Sequence, residues 1–92
     1  MMNILITGAG SGLGRALACQ FATIQTTLVL LDVSEKGLES TTQFLQGSGA
    51  KVDSFVVDIG DASALTTCLE NISATLRHID WVVNCAGMTL TS

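Results

Sequence analysis

The chain has 92 residues, enough for one domain, and with 48% hydrophobic and 13% charged residues it lacks the composition of a disordered segment. Four Lys plus Arg against eight Asp plus Glu leave a net charge of -4, too little positive charge to neutralise a phosphate backbone, which excludes nucleic acid as a partner. No apolar stretch reaches the roughly 20 residues of a membrane-spanning helix, and no positively charged segment precedes the apolar N-terminus in the manner of a signal peptide, although Ala16-Leu17-Ala18 imitates a cleavage site. A soluble protein with no membrane partner is expected.

Met2 to Thr7 is a short apolar run that stops at glycines, the pattern of a buried strand. From Leu13 the apolar positions Ala16, Leu17, Phe21 and Ile24 recur at helical spacing and predict a first helix lying against that strand. The loop Ile24-Gln25-Thr26-Thr27 carries no glycine, so a left-handed helix stop is not expected there. Thr27 to Leu31 reads as a second strand ending in Asp32.

Ser34 is placed to cap a second helix, Glu35 suits the positive end of its dipole, and Leu38, Thr41 and Leu45 form the inward stripe before Gly47 and Gly49 stop it. Val52 to Val57 predicts a third strand followed by Asp58. Asp61 then caps a third helix with Leu65, Cys68, Leu69, Ile72 and Leu76 on one face. Ile79 to Cys85, containing Trp81, Val82 and Val83, predicts a fourth strand, and Ala86-Gly87 turns the chain.

Strands alternating with helices of this length require parallel pairing through right-handed crossovers. The expected fold class is α/β, a Rossmann-type doubly wound parallel sheet cut off after its fourth strand. The widely spaced Cys19, Cys68 and Cys85 sit in apolar surroundings without metal-ligand spacing. They are expected to be reduced core residues, which favours a cytoplasmic setting. No metal site is expected.

Ligands of such sheets bind beyond the carboxyl ends of the strands, and four of the chain's polar or glycine-rich stations stand there. Thr7-Gly8-Ala9-Gly10-Ser11-Gly12-Leu13-Gly14 joins the first strand to the first helix. Glycines at this density let a backbone approach a diphosphate and offer it the unpaired N–H groups of a helix N-terminus. The spacing is Gly8-x-x-x-Gly12-x-Gly14 rather than the strict G-x-G-x-x-G fingerprint. By itself this turn is a weak signal, since a tight strand-to-helix connection also uses glycines. Asp32, about 20 residues on at the end of a strand, is where a carboxylate accepts the hydroxyls of an adenosine ribose, and also where one closes a turn. Asp58 and Asn84 stand at the ends of the third and fourth strands.

In this order and these strand contexts, Thr7, Gly8, Gly12, Gly14, Asp32, Asp58 and Asn84-x-Ala86-Gly87 resemble the N-terminal half of the short-chain dehydrogenases/reductases. The resemblance covers essentially the whole chain and implies that residues 1–92 form a partial NAD(P)-binding domain. It implies that Gly8, Ser11, Gly12, Leu13 and Gly14 line the pyrophosphate and adenosine ribose of NAD, that Asp32 holds the ribose, and that Asp58 with the backbone of Ile59 meets the adenine. Asn84, Ala86 and Gly87 would brace the central strand and pass beneath the cofactor. Asp32, and Ser11 where NADP users of the family often carry a basic residue, favour NAD over NADP. Cys85 stands where the family usually has a second Asn.

The same resemblance places hydride transfer on a Ser and a Tyr-x-x-x-Lys, yet this sequence has no Tyr, so no catalytic residue is expected within it. Arg15, in the first helical turn, is equally a phosphate contact or a solvent-facing side chain. Two readings of function therefore stand: the NAD-binding portion of an oxidoreductase acting on an alcohol or carbonyl substrate, or a non-catalytic nucleotide-binding or interaction module of the same fold. An S-adenosylmethionine methyltransferase would place an acidic residue where Thr7 ends the first strand. An unpaired apolar edge on the fourth strand is expected to find a partner, either further chain or a second copy.

Overall fold

The computed structural model describes residues 2–85. Four strands alternate with three helices: β1 (Met2–Thr7), α1 (Gly12–Phe21), β2 (Thr26–Asp32), α2 (Glu35–Phe44), β3 (Lys51–Val56), α3 (Ala62–Thr75) and β4 (Trp81–Asn84). All pairings are parallel and the sheet order is β3-β2-β1-β4. The chain steps outward from β1 to β3 and then returns to the other side of β1, so a switch point lies between β1 and β4 at their carboxyl ends.

Two-residue alternation along the central strands builds two cores. Ile4, Ile6, Leu28 and Leu30 face the side covered by α1 and α2, where they pack with Ala18, Leu38, Leu45 and Cys85. Leu5, Val29 and Leu31 face the opposite side, where Cys68 and Ile72 of α3 cover them. Burying each of these large aliphatic side chains contributes about 1.5–3 kcal/mol. The sheet is thus clothed on both faces, which explains why β1 and β2 read as continuous apolar runs.

The helix starts follow the expected chemistry. Ser34 Oγ accepts from Gly37 N at 2.9 Å and Asp61 Oδ1 accepts from Ala64 N at 3.1 Å, each satisfying an N–H group of a first turn. After α2, Gly47 and Gly49 take left-handed φ values of 86° and 84°. At the end of α1, where no glycine is present, the Thr26 hydroxyl shares its proton between the carbonyls of Phe21 and Thr23 (3.1 and 3.0 Å) and accepts from Thr23 N at 2.9 Å.

Several expectations are corrected. β3 runs one residue earlier than expected and β4 is shorter at both ends, although Cys85 N still donates to Thr7 O at 3.2 Å. The inward face of α1 is Gly14 and Ala18, flanked by Leu13, Leu17 and Phe21; Ala16 is exposed and Ile24 lies beyond the helix, 75% exposed. Leu69 points outward from α3 at 42% exposure, because Cys68 and Ile72 define its buried line. Cys19 is exposed, whereas Cys68 and Cys85 are buried, as expected. Among the described residues no helix is long and apolar enough to cross a membrane, and no group of His, Cys, Asp or Glu side chains is gathered as for a metal.

Candidate functional site

Strand register sets the site. Thr7 lies level with Leu31 of β2 and with Asn84 of β4, and Asp32 lies level with Val56 of β3, so all four strands present their carboxyl ends along one rim. Across that rim the order is Asp58, Asp32, the glycine turn and Asn84.

The turn from Gly8 to Gly14 is shaped by two left-handed residues, Gly8 (φ 66°) and Gly12 (φ 54°), a conformation that strains any residue with a Cβ. A Cβ at Gly12 would meet nothing within 4 Å, so conformation alone demands glycine there. Gly14 is demanded by packing. A Cβ on it would stand 2.1 Å from Gly8 O and 2.9 Å from Ala9 Cα, both backbone atoms.

Close approach of α1 to the turn aims the helix N-terminus at the rim. Ser11, the N-cap residue, is fully extended (φ -168°, ψ 171°), exposed, and makes no side-chain cap. The N–H groups of an opening turn have no partner within their helix, and here the N-cap side chain does not take one either. Glycine backbone, a helix dipole and an uncapped first turn form an arrangement suited to an anionic diphosphate.

Asp32 ends β2 beside this turn, half-buried. Its Oδ2 accepts from Gly10 N at 2.8 Å and its Oδ1 from Ser34 N at 3.0 Å. A carboxylate has about four acceptor positions. The two backbone bonds leave capacity for the two hydroxyls of a ribose, with the carboxylate already fixed in place. Asp58 is exposed, and its Oδ1 accepts from Gly60 N at 2.9 Å, closing the turn into α3. The Val57 N–H donates to Asp32 O at 2.9 Å, which carries Asp58 and Ile59 past the Asp32 end of the rim.

On the other side, Thr7 Oγ1 donates to Asn84 Oδ1 at 2.7 Å and accepts from Cys85 N at 3.1 Å, locking the carboxyl ends of β1 and β4 together. Cys85, in place of a polar residue, contributes its side chain to the core under α1. Ala86 and Gly87 lie outside the described residues.

Thr7 was read only as part of the motif, without a role, and Gly37 and Thr41 were not singled out as functional by sequence. Thr7 acts through the Asn84 bond. Gly37, in the first turn of α2, meets the glycine turn so closely that a Cβ on it would lie 2.6 Å from Gly10 O. Thr41 is fully buried and its hydroxyl donates to Ala9 O at 2.7 Å. Arg15, left open between phosphate and solvent, is turned toward α2. Its guanidinium donates to Gly10 O and to Thr41 Oγ1 (3.0 Å) and lies 5.4 Å from the centre of the Phe44 ring. A glycine inside a predicted helix was the available signal for Gly37, since it costs helix stability without a packing reason.

The chain is similar to known proteins over nearly its whole length. Residues 2–92 match the family model described as short chain dehydrogenase. The chain is 40% identical over 89 residues to estradiol 17-beta-dehydrogenase 11 from Homo sapiens, an alignment covering 97% of this chain and 30% of that protein. Among solved structures it superimposes on NAD+-bound xylitol dehydrogenase with a TM-score of 0.82 at 27% identity, covering 88% of this chain and 31% of the other. An NAD-bound short chain dehydrogenase from Mycobacterium paratuberculosis gives a TM-score of 0.84 at 25% identity, covering 96% and 37%. The chain thus spans about a third of the length of these relatives.

Proposed function

The chain belongs to the short-chain dehydrogenase family, and from that premise we propose that residues 1–92 are the NAD-binding portion of an oxidoreductase acting on an alcohol or carbonyl substrate. One observation carries the proposal: an uncapped, glycine-built helix N-terminus stands beside a strand-end carboxylate, Asp32, that is already held on Gly10 N at 2.8 Å. The first half of that arrangement suits a diphosphate and the second a ribose diol. The NAD bound in two similar structures supports a nicotinamide dinucleotide as the ligand.

The roles divide along the rim. Gly8, Ser11, Gly12, Leu13 and Gly14 hold the pyrophosphate and the adjoining ribose, Asp32 accepts the ribose hydroxyls, and Asp58 with Ile59 borders the adenine. Asn84, Ala86 and Gly87 support the cofactor from below. When bound, the nicotinamide exchanges hydride with substrate carbon. The residues of this chain bind and orient it. No Tyr is present in the sequence, so the accompanying proton is moved by groups elsewhere in the complete protein.

Asp32 also selects NAD. A 2′-phosphate about 4 Å from the carboxylate is opposed by roughly 4 kcal/mol per unit charge at an effective dielectric near 20, before solvent relaxation reduces it. Ser11 offers no compensating cation, and the Arg15 guanidinium is engaged on Gly10 and Thr41.

Calorimetric titration of the protein carrying this chain with NAD and with NADP tests the proposal. Binding of NAD with one site per chain, weaker by about a hundredfold for NADP, is expected from this electrostatic penalty. Absence of binding to either would refute it. The second function, a nucleotide-binding or interaction module without chemistry, rests on β4, which among the described residues pairs only with β1 and whose Trp81 and Val82 are 50% and 66% exposed. That edge is suited to pairing with further chain or a second copy. A native mass well above the 9.6 kDa of this sequence, together with alcohol-dependent reduction of NAD, decides for the oxidoreductase.

A further inference from the structure

Gly10 is held at both of its backbone groups, which belong to consecutive peptides. Its N–H is fixed by Asp32 Oδ2 at 2.8 Å, and its carbonyl by the Arg15 guanidinium. Arg15 is itself seated on α2, where its Nε donates to Thr41 Oγ1 at 3.0 Å and its guanidinium lies 5.4 Å from the centre of the Phe44 ring. The fully buried Thr41 hydroxyl donates in turn to Ala9 O at 2.7 Å. Gly37 completes the contact, because only a residue without a Cβ lets α2 come against Gly10.

We infer that Arg15, seated on Thr41 and Phe44 of α2, is a positioning residue that fixes Gly10 by its carbonyl and, through the N–H of the same residue, the Asp32 carboxylate that reads the ribose. The inference rests on the proposed NAD site. It assigns to α2 a share in cofactor discrimination although α2 supplies no group to the cofactor itself. The physical basis is preorganisation: a carboxylate held before the ligand arrives binds a diol without first being ordered, and rejects a phosphate that a freer side chain could swing away from. The planar guanidinium suits this task, since its forked donors reach a carbonyl and a hydroxyl together while its face rests on an aromatic ring.

The test uses Arg15→Lys and Thr41→Val in the protein carrying this chain, titrated with NAD and NADP alongside wild type, with thermal unfolding recorded for each. Arg15→Lys keeps the charge but loses the fork. Thr41 is buried and out of contact with solvent, so it has no direct path to a diphosphate. Both variants are expected to weaken NAD by about tenfold, the scale of one charge-assisted hydrogen bond, while NADP changes less, so that the preference for NAD shrinks. An equal loss for both cofactors would overturn the inference and make Arg15 a general brace or a diphosphate contact. Unchanged affinities would overturn it as well. Should Thr41→Val fail to fold, Arg15→Lys decides by the same ratio. A wild-type protein without preference for NAD would instead refute the role of Asp32 and the inference with it, whereas a wild-type preference that survives in the variants refutes the positioning role alone.

Discussion

Replacing Gly14 with alanine adds one methyl group at the tightest point of the structure. That carbon would lie 2.1 Å from Gly8 O, 2.7 Å from Gly8 C and 2.9 Å from Ala9 Cα, where ordinary contact begins at 3.4 Å. All three atoms are backbone, so no side chain can rotate away, and α1 or the turn must move by about 1 Å at the upper end of overpacking costs, about 3 kcal/mol. In the longer protein that carries this chain such a loss lowers the unfolding midpoint by about 6–12 °C. The same movement carries the N–H groups of the first turn off the diphosphate. Each charge-assisted bond lost costs about 1.5–3 kcal/mol, which raises the Kd for NAD by about 10- to 150-fold. Gly14→Val is expected to abolish binding. Gly12→Ala serves as the contrast, with open space around its Cβ and only the left-handed φ of 54° to strain it, at about 1–2 kcal/mol. Calorimetry and thermal unfolding on the folded variants check the order. A Gly14→Ala protein with wild-type midpoint and wild-type affinity for NAD would refute the reasoning.

The other expectations follow from single contacts. Asp32→Ala removes the acceptor of Gly10 N and Ser34 N and the charge facing a 2′-phosphate, so the expected hundredfold preference for NAD should fall to within about tenfold; an unaltered ratio in competition binding would show that Asp32 does not read the ribose. Asp61→Ala leaves Ala64 N without its cap and should lower stability by about 1 kcal/mol in denaturant titration with no change in affinity for NAD, and a neutral substitution would count against the cap. Cys19 is exposed, whereas burial pushes the Cys68 thiol above its ordinary pKa, so mild alkylation followed by peptide mapping should find Cys19 modified well before Cys68. Equal rates would contradict the described burial.

Much of the fold was legible because it rests on local signals. Continuous apolar runs located β1 and β2, and Ser34 and Asp61 announced α2 and α3, since capping needs a short polar side chain at one backbone position. The inward face of α1 was harder to read. Periodicity weights large apolar residues, yet the line of closest approach there consists of Gly14 and Ala18, where small size lets the helix sit down on the turn. Leu69 was misjudged because helical spacing groups residues on one side without fixing which member touches the sheet, and Cys19 because apolar neighbours in sequence do not fix the face of α1 on which it stands. At the site, Asp32 and Asn84 were visible as polar residues ending apolar strands. Arg15, Gly37 and Thr41 were not, because their roles depend on α2 meeting the Gly10 peptide across 22 to 32 residues of sequence, a contact that exists only once the sheet has brought β1 and β2 together.

The central claim, that the glycine turn and Asp32 form one dinucleotide site, is tested most directly by a crystal structure of the protein carrying this chain with NAD bound. The diphosphate is expected over the N–H groups of residues 12–14, with both hydroxyls of the adenosine ribose on the Asp32 carboxylate and the Gly10 contact retained. NAD bound with its adenosine ribose away from Asp32, or with its diphosphate off the α1 N-terminus, would contradict the account.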